Sequence, residues 1–132
     1  MDKNYLEKIK KMKVAGKLAA QTLDMITDYV QPGISTNKID KLCYDFIKDN
    51  KGFSAPLFYR GFKKSLCTSL NHVVCHGIPS DKVLDEGDII NIDVTAIIEE
   101  YYGDTSRMFC VGETSVKANN LINATYESMM KA

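Results

Sequence analysis

Apolar residues recur along the first thirty positions at steps of three and four: Ile9, Met12, Ala15 or Gly16, Ala19, Leu23, Ile26 and Val30. That period places them on one face of a helix and predicts a long amphipathic first element. Lys8, Lys10, Lys11, Lys13 and Lys17 fall largely on other faces. Pro32-Gly33 should end the helix, because proline cannot continue it and glycine accepts the turn. Ser35 or Thr36 can cap a second helix whose buried stripe would be Ile39, Leu42, Cys43, Phe46 and Ile47, with Gly52 where a C-terminal cap is wanted.

From Phe53 the pattern changes to strands. Ser65 to Leu70 alternates, and His72-Val73-Val74-Cys75 reads as a second short strand broken by Gly77-Ile78-Pro79. Asp85-Glu86-Gly87-Asp88 forms a turn into Ile89–Ile98, the most strand-like run in the chain, and Tyr101 to Val111 is its expected partner. Gly112 closes the sheet region and Ser115 to Lys131 reads as a further helix. That helix stops at Met130-Lys131-Ala132 with no glycine cap, turn or polar tail, the pattern of a chain cut inside an element. No linker, repeat or low-complexity stretch divides the 132 residues. The expectation is one α/β (α+β) unit with an antiparallel sheet and helices packed on one face.

Composition narrows the classes. Lys and Arg total 17 against 17 Asp and Glu, and 45% of residues are hydrophobic, which excludes a disordered or fibrous chain. A balanced charge argues against a dedicated nucleic-acid or membrane-surface binder. A chain this long can bury ~68% of its unfolded surface. Cys43, Cys67, Cys75 and Cys110 form no C-x-x-C pair and are expected as reduced, mostly buried thiols. The N-terminal segment lacks an apolar signal core and a small-residue cleavage site, so a cytoplasmic setting is expected.

Two aspartates carry the candidate chemistry. In Asn91-Ile92-Asp93-Val94-Thr95, alternation puts Asn91, Asp93 and Thr95 on one face. A hairpin turning near Ile98-Glu99 would bring Asp104, of Gly103-Asp104-Thr105-Ser106, directly opposite Asp93. Facing carboxylates are destabilising unless they share a proton or a cation. Carboxylate oxygens suit Mn, Fe, Co or Zn and can bridge two ions. The spacing also allows a blander arrangement, with Asp93 facing solvent and Asp104 serving the turn. Two aspartates cannot close a two-metal site, so further ligands would have to come from elsewhere. The two histidines are His72 and His76, the second at a strand end before Gly77 and Pro79, where a side chain can face a cleft.

Three ordered motifs, Val74-Cys75-His76-Gly77-Ile78-Pro79, Gly87-Asp88-Ile89-Ile90-Asn91-Ile92-Asp93-Val94-Thr95 and Gly103-Asp104-Thr105-Ser106-Arg107-Met108-Phe109, closely resemble the type 1 methionine aminopeptidases. Met12 to Ala20 and Pro32 to Thr36 match as well, so the resemblance covers essentially the whole chain. It implies the pita-bread fold, two pseudo-symmetric halves around a two-metal centre, and removal of the initiator methionine from nascent chains by a metal-activated hydroxide. Carried over residue by residue, Asp93 would bind one divalent ion and Asp104 would bridge two, the metal being Co, Mn, Fe or Zn. His76 would contact the substrate and aid catalysis without binding metal. Tyr59, Phe62 and Cys67 would line the methionine pocket, and Asn71 and Val73 would hold a monovalent cation. The family's remaining histidine and glutamate ligands would lie beyond Ala132, so the resemblance implies the N-terminal half alone, inactive without the other.

Pro56, Phe58 and Lys63 depart from the family's usual cysteine, glycine and proline and are expected to reshape the pocket. The family's co-translational task adds the ribosome surface as an expected partner for Lys8, Lys10, Lys11 and Lys17. A non-catalytic pita-bread binding module and a proline-directed peptidase of the same fold are the competing readings. The two retained aspartates and the close match to the methionine motifs favour the aminopeptidase.

Overall fold

A computed structural model describes residues 3–132. The elements run α1 (Lys3–Ile26), a 3-10 turn (Thr27–Tyr29), α2 (Thr36–Asp49), β1 (Phe53–Ser54), a second 3-10 turn (Ala55–Phe58), β2 (Cys67–Leu70), β3 (Ile89–Ile98), β4 (Tyr101–Cys110) and α3 (Val116–Lys131). All strand pairings are antiparallel. β3 is the spine: β4 pairs along its full length, while β1 and β2 share its other edge.

Period-two alternation sorts β3 into two faces. Ile90, Ile92, Val94 and Ala96 are fully buried against the helices, whereas Asn91, Asp93, Thr95 and Ile97 lie on the open face. Ala15, Leu18, Ala19, Leu23 and Ile26 of α1 and Ile39, Cys43 and Ile47 of α2 complete the core. Arg107 of β4 crosses from the sheet to α1, donating to Asp24 Oδ1 at 2.8 Å. Burying this stripe, at ~25 cal/mol per Å² of apolar surface, is the main force holding the helices on the sheet.

Local chemistry sets several boundaries. Ser35 caps α2, its Oγ accepting from the Lys38 N–H at 3.2 Å. Gly33 adopts φ +94 and donates to the Leu84 carbonyl at 2.8 Å, so the Pro-Gly turn also ties to the later chain. The long helix stops at Ile26, earlier than the apolar period implied, although Val30 beyond the 3-10 turn is still buried. Met12 is 53% exposed, because the buried stripe of α1 begins only at Ala15.

Three other expectations are corrected. The left-handed residue after α2 is Lys51, not Gly52; Gly52 is buried beside Leu18, whose Cδ2 would lie 2.5 Å from a Cβ there. Ser65 precedes β2 instead of starting it, since its N–H and hydroxyl bind the Asp40 carboxylate at 2.8 and 2.6 Å. His72 to Cys75 is not a strand. The chain reverses at Asn71 (φ +52), the Val73 N–H bonds back to the Leu70 carbonyl, and Val74 is 94% exposed.

Of the four free thiols, Cys43 and Cys67 are buried while Cys75 and Cys110 are exposed, so half of the expected burial holds. No residue of α3 is buried, and Val116, Leu121, Tyr126, Met129 and Met130 face outward. Among the described residues no helix is long and apolar enough to cross a membrane.

Candidate metal and substrate site

The hairpin joining β3 to β4 turns through Glu99 and Glu100, both at positive φ (47° and 69°). This is one residue beyond the expected centre, and it shifts the register by two. Asp93 is therefore paired with Ser106, and Thr95 with Asp104. The two aspartates are diagonal neighbours and not directly opposite, yet they keep the same open face because a shift of two preserves side-chain direction.

Their carboxyls interact across that diagonal. Burial, then the Asp104 charge, holds the Asp93 carboxyl above its ordinary range, while His76 pulls the other way. Two carboxylates repelling across a half-buried face are hard oxygen donors short of a cation. They fit a divalent ion in kind but not in number: among the described residues no group of three or more His, Cys, Asp or Glu could hold a metal.

His76 reaches this face through its backbone. The Thr68 N–H donates to the Gly77 carbonyl at 2.8 Å, and the Gly77 N–H donates to Ser69 Oγ at 3.1 Å, which pins the segment along β2. A Cβ at Gly77 would overlap the Thr68 carbonyl, so only glycine permits the approach. His76 itself sits at φ +55, a costly conformation for an L-residue of the kind found at functional sites. His72, four residues earlier, is exposed and takes no part.

These groups open into one cavity of about 360 Å³. Tyr59, Phe62 and Cys67 line it beside His76, Asp93 and Asp104, and Pro56 stands in its wall. Burial, the Asp93 charge and the neighbouring Cys75 push the Cys67 thiol up to about 11, so it behaves as a neutral, weakly nucleophilic wall group. Thr95 and Tyr102 also line the cavity; Thr95 was expected on the Asp93 face, but neither was singled out as a site residue. Period-two alternation from Asp93 and Asp104 would have found both.

Asn71 and Val73 lie outside the cavity. The Asn71 side chain is committed to the turn before β3, donating to Asp88 Oδ1 at 2.8 Å and accepting from the Ile89 N–H at 3.0 Å. Burial works against ionisation of Asp88, but the bonds from Asn71 and the Asp85 amide prevail and lower its pKa. Phe58 points away from the cavity and is 72% exposed. Lys63 borders a different groove beside α2. Lys11 leaves the basic face of α1: it lies 3.7 Å from Glu99 and over the Tyr101 ring.

An antiparallel sheet with helices on one face and a carboxylate-lined cavity on the other is the architecture of one half of a pita-bread fold. The chain belongs to metallopeptidase family M24, whose model matches residues 10–132. It is 59% identical over 121 residues to the methionine aminopeptidase of Rickettsia prowazekii, a match covering 92% of this chain and 47% of that protein. The crystal structure of methionine aminopeptidase from Rickettsia prowazekii superposes with a TM-score of 0.93 at 57% identity, covering 95% of this chain and 50% of that one. An Xaa-Pro dipeptidase from Bacillus anthracis shares the fold, at a TM-score of 0.79 and 23% identity over 94% of this chain and 34% of its own. The chain spans about half the length of the curated relatives it matches.

Proposed function

We propose that this chain is the N-terminal half of a methionine aminopeptidase, a metal-dependent hydrolase that removes the initiator methionine from nascent polypeptides in the cytoplasm. The observation that carries the reading is the single cavity in which Asp93 and Asp104 face Tyr59, Phe62, Cys67 and His76. Asp93 and Asp104 would hold two divalent ions, of Co, Mn, Fe or Zn, together with ligands from a complementary half. When bound, such ions activate a water and polarise the peptide carbonyl.

The chain's own residues supply the rest. Tyr59, Phe62 and Cys67 give an apolar recess for an unbranched thioether side chain, and sulfur meets aromatic rings favourably there. Cys67 stays neutral and so does not compete as a nucleophile. His76, next to the docked Gly77, would hydrogen-bond the substrate's first peptide group. Asn71 and Val73 would offer backbone carbonyls to a monovalent cation, since the Asn71 side chain is already engaged. A non-catalytic binding module would gain nothing from the carboxylate pair, and the 59% identity favours the methionine enzyme over a proline-directed one.

Lys8, Lys10 and Lys17 are exposed on α1 and would meet the ribosome surface. Such binding should weaken steeply with salt.

The test is a divalent-ion titration with a Met-Gly-type peptide. The 132-residue chain alone should bind the ion weakly and release no methionine, because a two-carboxylate set leaves the coordination incomplete. Adding a complementary half that carries His and Glu ligands should restore chelator-sensitive release, and Asp93→Ala should abolish it. Robust release by the isolated chain would refute the reading.

A further inference from the structure

Beyond the cavity, the open face continues into a second groove of about 690 Å³, lined by Phe53, Phe58, Ile97, Glu99, Glu100 and Tyr102. Phe53 (62% exposed), Phe58 (72%) and Tyr102 (58%) make this a contiguous aromatic surface. Phe53 pairs with Ile97 and Ile97 with Tyr102, so three strands present side chains in one row. Phe58 leans edge-on against Phe53, with ring centroids 6.5 Å apart. An exposed apolar patch of this kind marks a binding surface more often than idle surface.

Two observations identify its occupant. The first is continuity: Tyr102 lines both this groove and the cavity that holds Asp93, Asp104 and His76. The second is charge. The far rim carries two carboxylates, Glu99 and Glu100; Lys11 approaches Glu99, while Glu100 is exposed at the hairpin tip. Strand geometry gives the scale, since Tyr102 is two residues from Asp104, roughly 7 Å, and Glu100 four, roughly 13 Å. A peptide extended from a first residue held over the aspartates reaches Tyr102 with about its third residue and the acidic rim with about its fifth.

We propose that the Phe53–Phe58–Tyr102 groove is the track for the substrate chain downstream of its first residues, and that its acidic rim selects Lys or Arg near the third to fifth positions. This rests on the peptidase reading above and adds a specificity site to it. The aromatic floor takes the aliphatic stems of Lys and Arg, and cation–π contact with Tyr102, Phe53 or Phe58 adds to the attraction of the glutamates. Beneath the Phe53–Phe58 pair lies a smaller cavity of about 140 Å³, lined in part by Tyr44, Ile47 and Leu57. It leaves room for a side chain to settle between the rings and α2.

The experiment titrates the isotope-labelled 132-residue chain by NMR with two peptide amides, Met-Ala-Lys-Lys-Lys-Ala and Met-Ala-Glu-Glu-Glu-Ala. The basic peptide should shift Tyr102, Phe53, Phe58 and Ile97 together with Tyr59, Phe62 and Cys67, and bind about fivefold tighter than the acidic one. Glu100→Lys, at an exposed turn, should erase that preference, and so should 0.5 M NaCl. If both peptides bind equally and shift only Tyr59, Phe62 and Cys67, the groove proposal is overturned and the peptidase reading stands. Shifts in the groove without shifts in the cavity would overturn the shared track, and shifts at neither would sink both.

Discussion

Replacing Asp104 by Asn removes one of the two charges on the open face without changing its shape. Two unit charges ~4 Å apart repel by about 4 kcal/mol at an effective dielectric of 20 and about 1 kcal/mol in water. Asp93 is half-buried and Asp104 exposed, so the lower figure applies once solvent screening is included. Asp93 titrates above its ordinary 3.8, from burial first and then from Asp104. The native chain thus keeps this proton to higher pH than the unfolded chain. The associated stability is fully present below about pH 3.8 and is lost as pH rises through the raised native value. At pH 7 and without metal the wild-type chain carries the repulsion, so Asp104→Asn should stabilise it by about 1 kcal/mol, with little gain at pH 4. With a divalent ion at a hundred times its dissociation constant the wild type gains about 2.7 kcal/mol, and the variant should gain almost none. Urea unfolding at pH 4 and 7, with and without Mn, would display the reversal in order. A variant less stable than wild type in the absence of metal at pH 7, or one that keeps the full metal gain, would refute the argument.

Gly103→Ala should cost about 2–3 kcal/mol in urea unfolding, because a Cβ there overlaps the Ala15 carbonyl and Gly16 nitrogen and forces α1 off β4; a loss under about 0.5 kcal/mol would contradict that packing. Glu100→Gly should raise stability by about 1 kcal/mol, since a two-residue hairpin with positive φ at both positions suits glycine; an unchanged or lower midpoint would count against it. With iodoacetamide at pH 8, exposed Cys75 and Cys110 should be alkylated first. Cys43, raised to about 12 by burial and then Asp40, and Cys67, raised to about 11, should lag, and prompt labelling of Cys67 would show that its burial is wrong.

Where an element's own residues carried the information, reading along the chain was enough. Ser35 caps α2 through its own hydroxyl, and Ile39, Cys43 and Ile47 form the stripe that helical spacing required. Alternation in β3 put Asp93 and Thr95 on the face opposite Ile92 and Val94. Contacts distant in sequence were not legible in that way. His72 to Cys75 has strand composition, yet the Asn71 side chain bonds to Asp88 and Ile89 and the Gly77 segment docks on Thr68, so the residues between them turn outward.

The hairpin register was missed for a related reason. Ile98-Glu99-Glu100-Tyr101 contains no Gly, Asn or Asp to place its turn, and pairing along the whole of β4 settled it on Glu99-Glu100. By itself the sequence determined local form and the face each aspartate occupies, because side-chain direction follows a period of two that a shift of two leaves intact. Tertiary structure alone decided that the aspartates meet on the diagonal and that His76 swings onto their face. Each of those outcomes depends on backbone contacts between segments that no local period records.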